Sequence, residues 1–221
     1  MKLYCDPIST TSRPVLMFIA EQGLDVEIVK VDLLAGEHLA PEYLAINPNG
    51  IVPFLVDGDL KLGECAAILK YLAIRAHATA YPEGLKAQVK VDEAISWFNT
   101  RFHEVFCLFG CYPVIGVPHG LSPEMAAAML AYGAEHSPRW LRLLDEQMLG
   151  GRPFVCGDQV SLADYMGLSF CLLGDLVGFD FAPYPNVAAW IARMKARSGF
   201  APTYAAFGTF VGFVRTPAKA A

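Results

Sequence analysis

The sequence predicts an α/β domain at the N-terminus followed by an all-α domain. Three observations carry that expectation. Up to residue 76, short strand-like runs are interleaved with amphipathic helical runs. Residues 77–84 then collect Ala, Thr, Tyr, Pro and Gly, the composition of a linker. From residue 85 to 221 the apolar residues recur at helical spacing. The expected division is therefore 1–76, linker 77–84, and 85–221.

Lys2-Leu3-Tyr4-Cys5 reads as the first strand. A loop rich in hydroxyls follows, with Ser9, Thr10, Thr11 and Ser12. Pro14 suits the first turn of a helix, and Thr11 or Ser12 is its expected cap. Val15, Phe18, Ile19 and Leu24 keep helical period, and Gly23 ends the run. Residues 26–31 alternate as a second strand, and 36–44 form a short helix or helical turn. Asn47-Pro48-Asn49-Gly50-Ile51-Val52-Pro53 is a loop that enters a short apolar strand through a proline. A turn, another short strand and a helix from Glu64 to about Arg75 complete the order β-α-β, helix, β-β-α.

After the linker, Ala87, Val91, Ala94, Ile95, Phe98, Phe102, Val105 and Phe109 mark one face of a long helix. Ser122-Pro123-Glu124 starts the next helix. Pro138 is expected to kink or restart it, with Ser137 as a new cap. Ser161-Leu162-Ala163-Asp164 resembles a capping box, with Asp in place of Glu, and reads as structural. Residues 185–197 give a last clear helix. The tail carries Phe200, Tyr204, Phe207, Phe210 and Phe213, which either cover a pocket or pack as core. Residues 217–221 are expected to fray.

Composition narrows the function. A net charge of −5 over 221 residues argues against nucleic acid or an anionic membrane as the main partner. Asp6 and Pro7 interrupt any secretory signal, and the uncharged run 105–118 is too short to span a bilayer. The cysteines at 5, 65, 107, 111, 156 and 171 form no Cys-x-x-Cys, and a cytosolic setting predicts free thiols. The five histidines are scattered, so no metal site is expected. A hydrophobic fraction of 54% fits a helical core plus an oligomer interface.

Chemistry concentrates in two stretches. Pro53 lacks an amide, so the Val52 amide is free of regular strand pairing and available to a ligand. Shortly after, a helix N-terminus offers unpaired amides to a carboxylate, and Glu64 can hold an amine. A ligand with a backbone-like amide and an α-amino-acid head matches all three features. The paired motifs, Asn47-Pro48-x-x-x-Val52-Pro53 and Glu64-Cys65-x-Ala67-Ile68-x-x-Tyr71-Leu72, resemble the glutathione-binding half of the cytosolic glutathione transferases. The resemblance runs from Met1 to about Leu72 and returns near Ser161.

That resemblance implies a thioredoxin-like N-terminal domain, an all-helical second domain, glutathione as co-substrate, no metal, and a cytoplasmic homodimer acting in detoxification. Tyr4-x-x-Pro7-x-Ser9-x-x-x-Arg13 resembles the serine-type theta and delta classes, so Ser9 is the first candidate to stabilise the glutathione thiolate, with Thr10 or Ser12 as fallback. The implied glutathione contacts are His38, Gly50, Ile51, Val52, Pro53, Glu64 and Cys65. Gly50 departs from the delta pattern, which has histidine there, and Cys65 from the usual serine. At a helix N-terminus Cys65 is also a candidate for a lowered thiol pKa. The electrophile pocket is implied on the first helix after the linker, where Trp97, Asn99, Thr100, Arg101, His103 and Phe106 are candidates; Trp97, Thr100, Arg101 and Glu104 share a face at α-helical spacing. Two other readings stand beside transfer to a small hydrophobic electrophile. One is a glutathione-dependent thiol-disulfide or peroxide reductase, and the other is a non-catalytic scaffold that keeps the fold.

Overall fold

The computed structural model describes residues 1–216; the expected fraying of 217–221 lies outside them. β1 (Lys2–Cys5) is the hub of a four-stranded sheet of order β2-β1-β3-β4. It runs parallel to β2 (Glu27–Lys30), with Leu3 opposite Ile28, and antiparallel to β3 (Phe54–Asp57), with Leu3 opposite Leu55. β4 (Leu60–Leu62) pairs antiparallel with β3. The period of two sends Leu3, Cys5 and Leu55 into the main core with α1 (Ser12–Gln22) and α3 (Cys65–Arg75). Tyr4 faces the other way, onto Tyr43 of the one-turn α2 (Pro41–Leu44), with ring centroids 6.1 Å apart.

α3 ends at Arg75 and α4 (Leu85–Trp97) opens ten residues later. Phe98–Phe109 continues α4 in π-helical geometry. A 3₁₀ turn, Tyr112–Ile115, leads towards α5 (Pro123–Arg142). α5 does not restart at Pro138: the proline lies inside a continuous helix and Ser137 is buried there. One proline removes one ladder bond, and packing along the helix outweighs that local loss. The seat is close, since a Cβ on Gly133 would lie 2.5 Å from the Gly110 Cα at the end of the π-helical segment.

α6 (Leu162–Cys171) is buried at all ten positions and forms the centre of the second domain. Asp164 explains its start. The carboxylate accepts from the Ser161 amide (2.7 Å) and hydroxyl (2.7 Å), the Val155 amide (2.8 Å) and Trp190 Nε1 (2.9 Å). A 3₁₀ segment, Leu172–Val177, follows, then α7 (Pro185–Lys195) and α8 (Phe200–Arg215). The domains are joined on one side by Glu21 of α1, which accepts from Arg197 Nε (2.9 Å) and the Tyr165 hydroxyl (2.7 Å). Among the described residues no helix is long and apolar enough to cross a membrane.

Candidate active site

The site begins where the chain leaves β1. Buried Asp6 accepts from the Ile8 amide (3.0 Å) and the Leu33 amide (2.9 Å), and its carbonyl takes the Ser9 amide (2.9 Å). These bonds turn the loop so that Ser9 stands at the N-terminus of α1. The Ser12 amide donates to Ser9 Oγ at 3.3 Å, and Thr11 Oγ1 lies 3.2 Å from Ser9 Oγ. Thr11 spends its own proton on the Val52 carbonyl, 3.0 Å away. The proton between the two hydroxyls therefore belongs to Ser9 and is free to rotate onto a ligand. Thr11 is the helix cap by position, yet its side chain makes no cap bond because it is used on Val52.

The segment facing Ser9 is fixed from behind. The Ile51 carbonyl accepts from the Tyr43 hydroxyl (2.6 Å) and Asn47 Nδ2 (2.8 Å). With the Val52 carbonyl taken by Thr11, the Val52 amide has no hydrogen-bond partner among the described residues. Gly50 is glycine for backbone reasons: its φ is +60°, and a Cβ would crowd the His38 carbonyl and a Leu44 methyl, each at 3.2 Å. A side chain at this position conflicts with the loop this chain builds. Glu64 is not the first helical residue but the residue before it, exposed and held at φ +63°. A glutamate in that region is strained, a feature that clusters at ligand clamps.

A cavity of about 430 Å³ opens between the domains. Its first wall is Ser9, Thr10, Thr11, His38, Ile51 and Val52; its second is Tyr112, Ile115, Leu173, Leu176, Phe207 and Phe210. The tail helix α8 thus does both things expected of it, since buried Phe207 belongs to the core and also lines the cavity. His38 keeps a buried Nδ1 without a partner among the described residues. Burial pushes the Tyr112 hydroxyl up to about 12, so it stays protonated and donates to Thr10 Oγ1 at 2.9 Å. Thr10 is held further by the Ser169 hydroxyl on its carbonyl (2.6 Å). Ser12 is fully buried inside α1 and lines no part of the cavity. Pro53, Glu64 and Cys65 are likewise not part of its wall.

Two expectations need correction. The Cys65 thiol is not lowered: complete burial, reinforced by the Glu64 charge, pushes it far above the ordinary thiol range. Desolvation outweighs what a helix N-terminus contributes. Cys5 is also inert, pushed up to about 12 by burial. The second correction concerns the helix after the linker. Trp97 packs against Phe98 and Trp140, Thr100 donates back to the Ser96 carbonyl (2.8 Å), and Arg101 lines a separate cleft of about 320 Å³ against α5. None of the three touches the cavity beside Ser9. Asn99 is exposed and Phe106 is buried. From Phe98 the i→i+5 bonding changes which residues share a face, so a face phased at 3.6 residues drifts away. His103 comes nearest, its ring 5.8 Å from the ring of Tyr112 and 5.2 Å from that of Phe170. Tyr112, Leu173 and Leu176 sit on short 3₁₀ segments, whose residues carry no periodicity that would mark them in the sequence.

The family described as "Glutathione S-transferase, N-terminal domain" matches residues 1–74, and "Glutathione S-transferase, C-terminal domain" matches residues 114–198. Human glutathione S-transferase theta-2B is 34% identical over 203 residues, covering 90% of this chain and 82% of that protein. Bovine glutathione S-transferase theta-1 is 31% identical over 202 residues, covering 90% and 84%. Among solved structures, human glutathione transferase theta-2 in complex with glutathione and an unknown ligand superposes with a TM-score of 0.82 at 30% identity, covering 96% of this chain and 89% of that one. A human theta-class enzyme in complex with the glutathione conjugate of 1-menaphthyl sulfate gives 0.79 at 30% identity, covering 99% and 93%. With both of its domains matched and its relatives covered over most of their length, this chain belongs to the glutathione S-transferase family.

Proposed function

We propose that this chain activates glutathione through Ser9 and transfers it to a small hydrophobic electrophile held against the helical wall of the cavity. The observation that carries the reading is the Ser9 hydroxyl: it is polarised by the Ser12 amide, has a mobile proton, and faces an otherwise mainly apolar cavity. A hydroxyl donated to sulfur stabilises the thiolate, and the positive end of α1 acts in the same direction. The free Val52 amide pairs with the cysteinyl backbone of glutathione, adding a strand-like contact. His38 meets the glycine end, and the first amides of α3 with Glu64 meet the γ-glutamyl head. Leu173, Leu176 and Phe210 exclude water from the reacting carbon. The buried, protonated Cys65 removes the thiol that motivated a reductase reading.

The direct test is Ser9→Ala. Turnover falls by about 10²-fold, and bound glutathione loses its lowered thiol pKa. Full activity in that variant transfers the role to Thr10. We read the working unit as a cytoplasmic homodimer acting in detoxification, with exposed Ile74, Leu85 and Val89 supplying apolar surface for pairing. Sedimentation at micromolar concentration gives twice the chain mass on this reading, and a monomer refutes it.

A further inference from the structure

We infer that Arg13 is a positioning residue for the thiolate: its guanidinium, buried behind the Ser9 loop without a carboxylate, is the counter-charge of the ionised glutathione sulfur. The inference rests on the Ser9 reading and adds to it a charge that the cavity wall does not carry, since that wall holds neither Lys nor Arg.

Arg13 has no solvent exposure. Nη1 donates to the Ile8 carbonyl at 2.6 Å and Nη2 to the Ser169 carbonyl at 3.4 Å, while Nε has no partner. The Phe207 ring centroid lies 3.7 Å from Cζ and that of Tyr204 lies at 5.3 Å. Its close neighbours are neutral: two carbonyls, two aromatic faces and the Tyr204 hydroxyl. Among the described residues no ion pair includes Arg13. The acid that faces it, Asp175 on the Leu172–Val177 segment, is shared with Lys195 and Arg215. Burial lowers the pKa of Arg13, which still remains a cation at neutral pH.

A buried cation is ordinarily paired, because leaving it uncompensated is costly. Aromatic faces offset part of that cost and leave the charge itself in place. The geometry also says where the charge acts. The Ile8 carbonyl gripped by Nη1 belongs to the peptide whose nitrogen is that of Ser9. The positive charge therefore sits one peptide plane behind the hydroxyl that meets the sulfur. Arg13 is itself fully buried, and a low-dielectric setting lets its field reach across that plane. When the sulfur ionises at Ser9, Arg13 gains an anion that, unlike Asp175, is not shared with Lys195 and Arg215.

The experiment follows thiolate absorbance of bound glutathione against pH in the wild type, Arg13→Gln and Arg13→Lys. Gln keeps a donor for the Ile8 carbonyl and deletes the charge; Lys keeps the charge and deletes the planar fork. The expected result is a rise of about one pH unit or more in the bound thiol pKa for Arg13→Gln, with Arg13→Lys close to wild type. A structural buttress gives another pattern, in which both variants lose melting temperature while the thiol pKa stays put, and that pattern overturns the inference. An equal rise in Gln and Lys also overturns it, because charge is then not the cause. Should Arg13→Gln fail to fold, the wild-type protein decides: the Arg13 guanidinium ¹⁵N resonances follow the ionisation of bound glutathione and ignore S-methylglutathione. Resonances indifferent to that ionisation refute the inference. A wild type that binds glutathione with no lowered thiol pKa sinks the Ser9 reading itself; a lowered pKa unaffected by Arg13→Gln sinks only the role of Arg13.

Discussion

Two arginines cross the seam between the domains, and their surroundings are opposite. Arg197, on the side away from the cavity, is bound to Glu21 through Nε and Nη2 and is joined there by the Tyr165 hydroxyl. Arg13, on the cavity side, donates to two carbonyls, lies against two rings and forms no ion pair among the described residues. The contrast extends beyond the pair. The buried side-chain atoms without a partner among the described residues are Ser12 Oγ, Arg13 Nε, His38 Nδ1 and Tyr204 Oη, all on the loops and helices around the cavity or directly behind it. The scaffold side keeps Asp164 bonded by four donors and Asp145 by the Val187 amide and Asn186 Nδ2. Unmet bonding capacity is tolerated where a ligand completes it, and elsewhere it is costly.

The sharpest way to break this comparison is on the saturated side. Asp164→Ala strips a buried cap and leaves four donors unmet. We expect a loss of roughly 3–5 kcal/mol, enough to unfold much of the protein at 37 °C. Chemical denaturation measures it. Whatever fraction stays folded should keep the wild-type thiol pKa of bound glutathione. A normal stability in this variant would mean the cap is dispensable and the two sides are not distinct.

Next in size is Gly133→Ala. The new Cβ would stand 2.5 Å from both the Cα and the nitrogen of Gly110 and 2.8 Å from the Phe109 carbonyl carbon, all backbone atoms that cannot swing aside. Overpacking of this kind costs about 1–3 kcal/mol. Because Gly110 leads into the turn that carries Tyr112, the displacement also reaches the cavity. The expected signature is a lower melting temperature together with a raised KM for the electrophile and little change in KM for glutathione. Equal effects on both substrates would show that the helical wall and the Ser9 wall move as one body.

How much of this was legible in the sequence depends on how each part announces itself. The sheet and its helices were, because Leu3, Cys5 and Leu55 alternate with outward residues and Val15, Phe18 and Ile19 keep helical period. Ser161 and Asp164 were, because a cap is a local pattern. Ser9 and Val52, singled out by a loop chemistry that depends on adjacent residues, both line the cavity. The helical wall of the cavity was not legible. It is built by Tyr112, Leu173 and Phe207 from three separate segments, two of them 3₁₀, and no spacing rule connects them. The π-helical turn from Phe98 further misphased the face of Trp97, Thr100 and Arg101. Pro138 failed as a breaker because tertiary packing holds a helix through one missing amide. Arg13 was visible as a letter in a motif, but its burial was not, since a fully buried arginine contradicts the residue's ordinary preference.

The finest test lies at the boundary between the two sides, at His103. Its ring is set between Tyr112 of the cavity wall and Phe170 of the buried α6, and burial holds its pKa below the ordinary histidine value. The folded chain therefore resists a proton that the unfolded chain accepts at about 6.5. As pH falls through that value the unfolded state binds more protons than the native one, so stability declines towards acid; above it the group contributes no slope. His103→Gln should flatten the stability profile between about pH 5 and 6.5 and leave stability at pH 8 nearly unchanged. Urea titrations across that range decide it. An unchanged slope would mean that His103 is protonated in the fold with a partner, and the boundary would then belong with the saturated side.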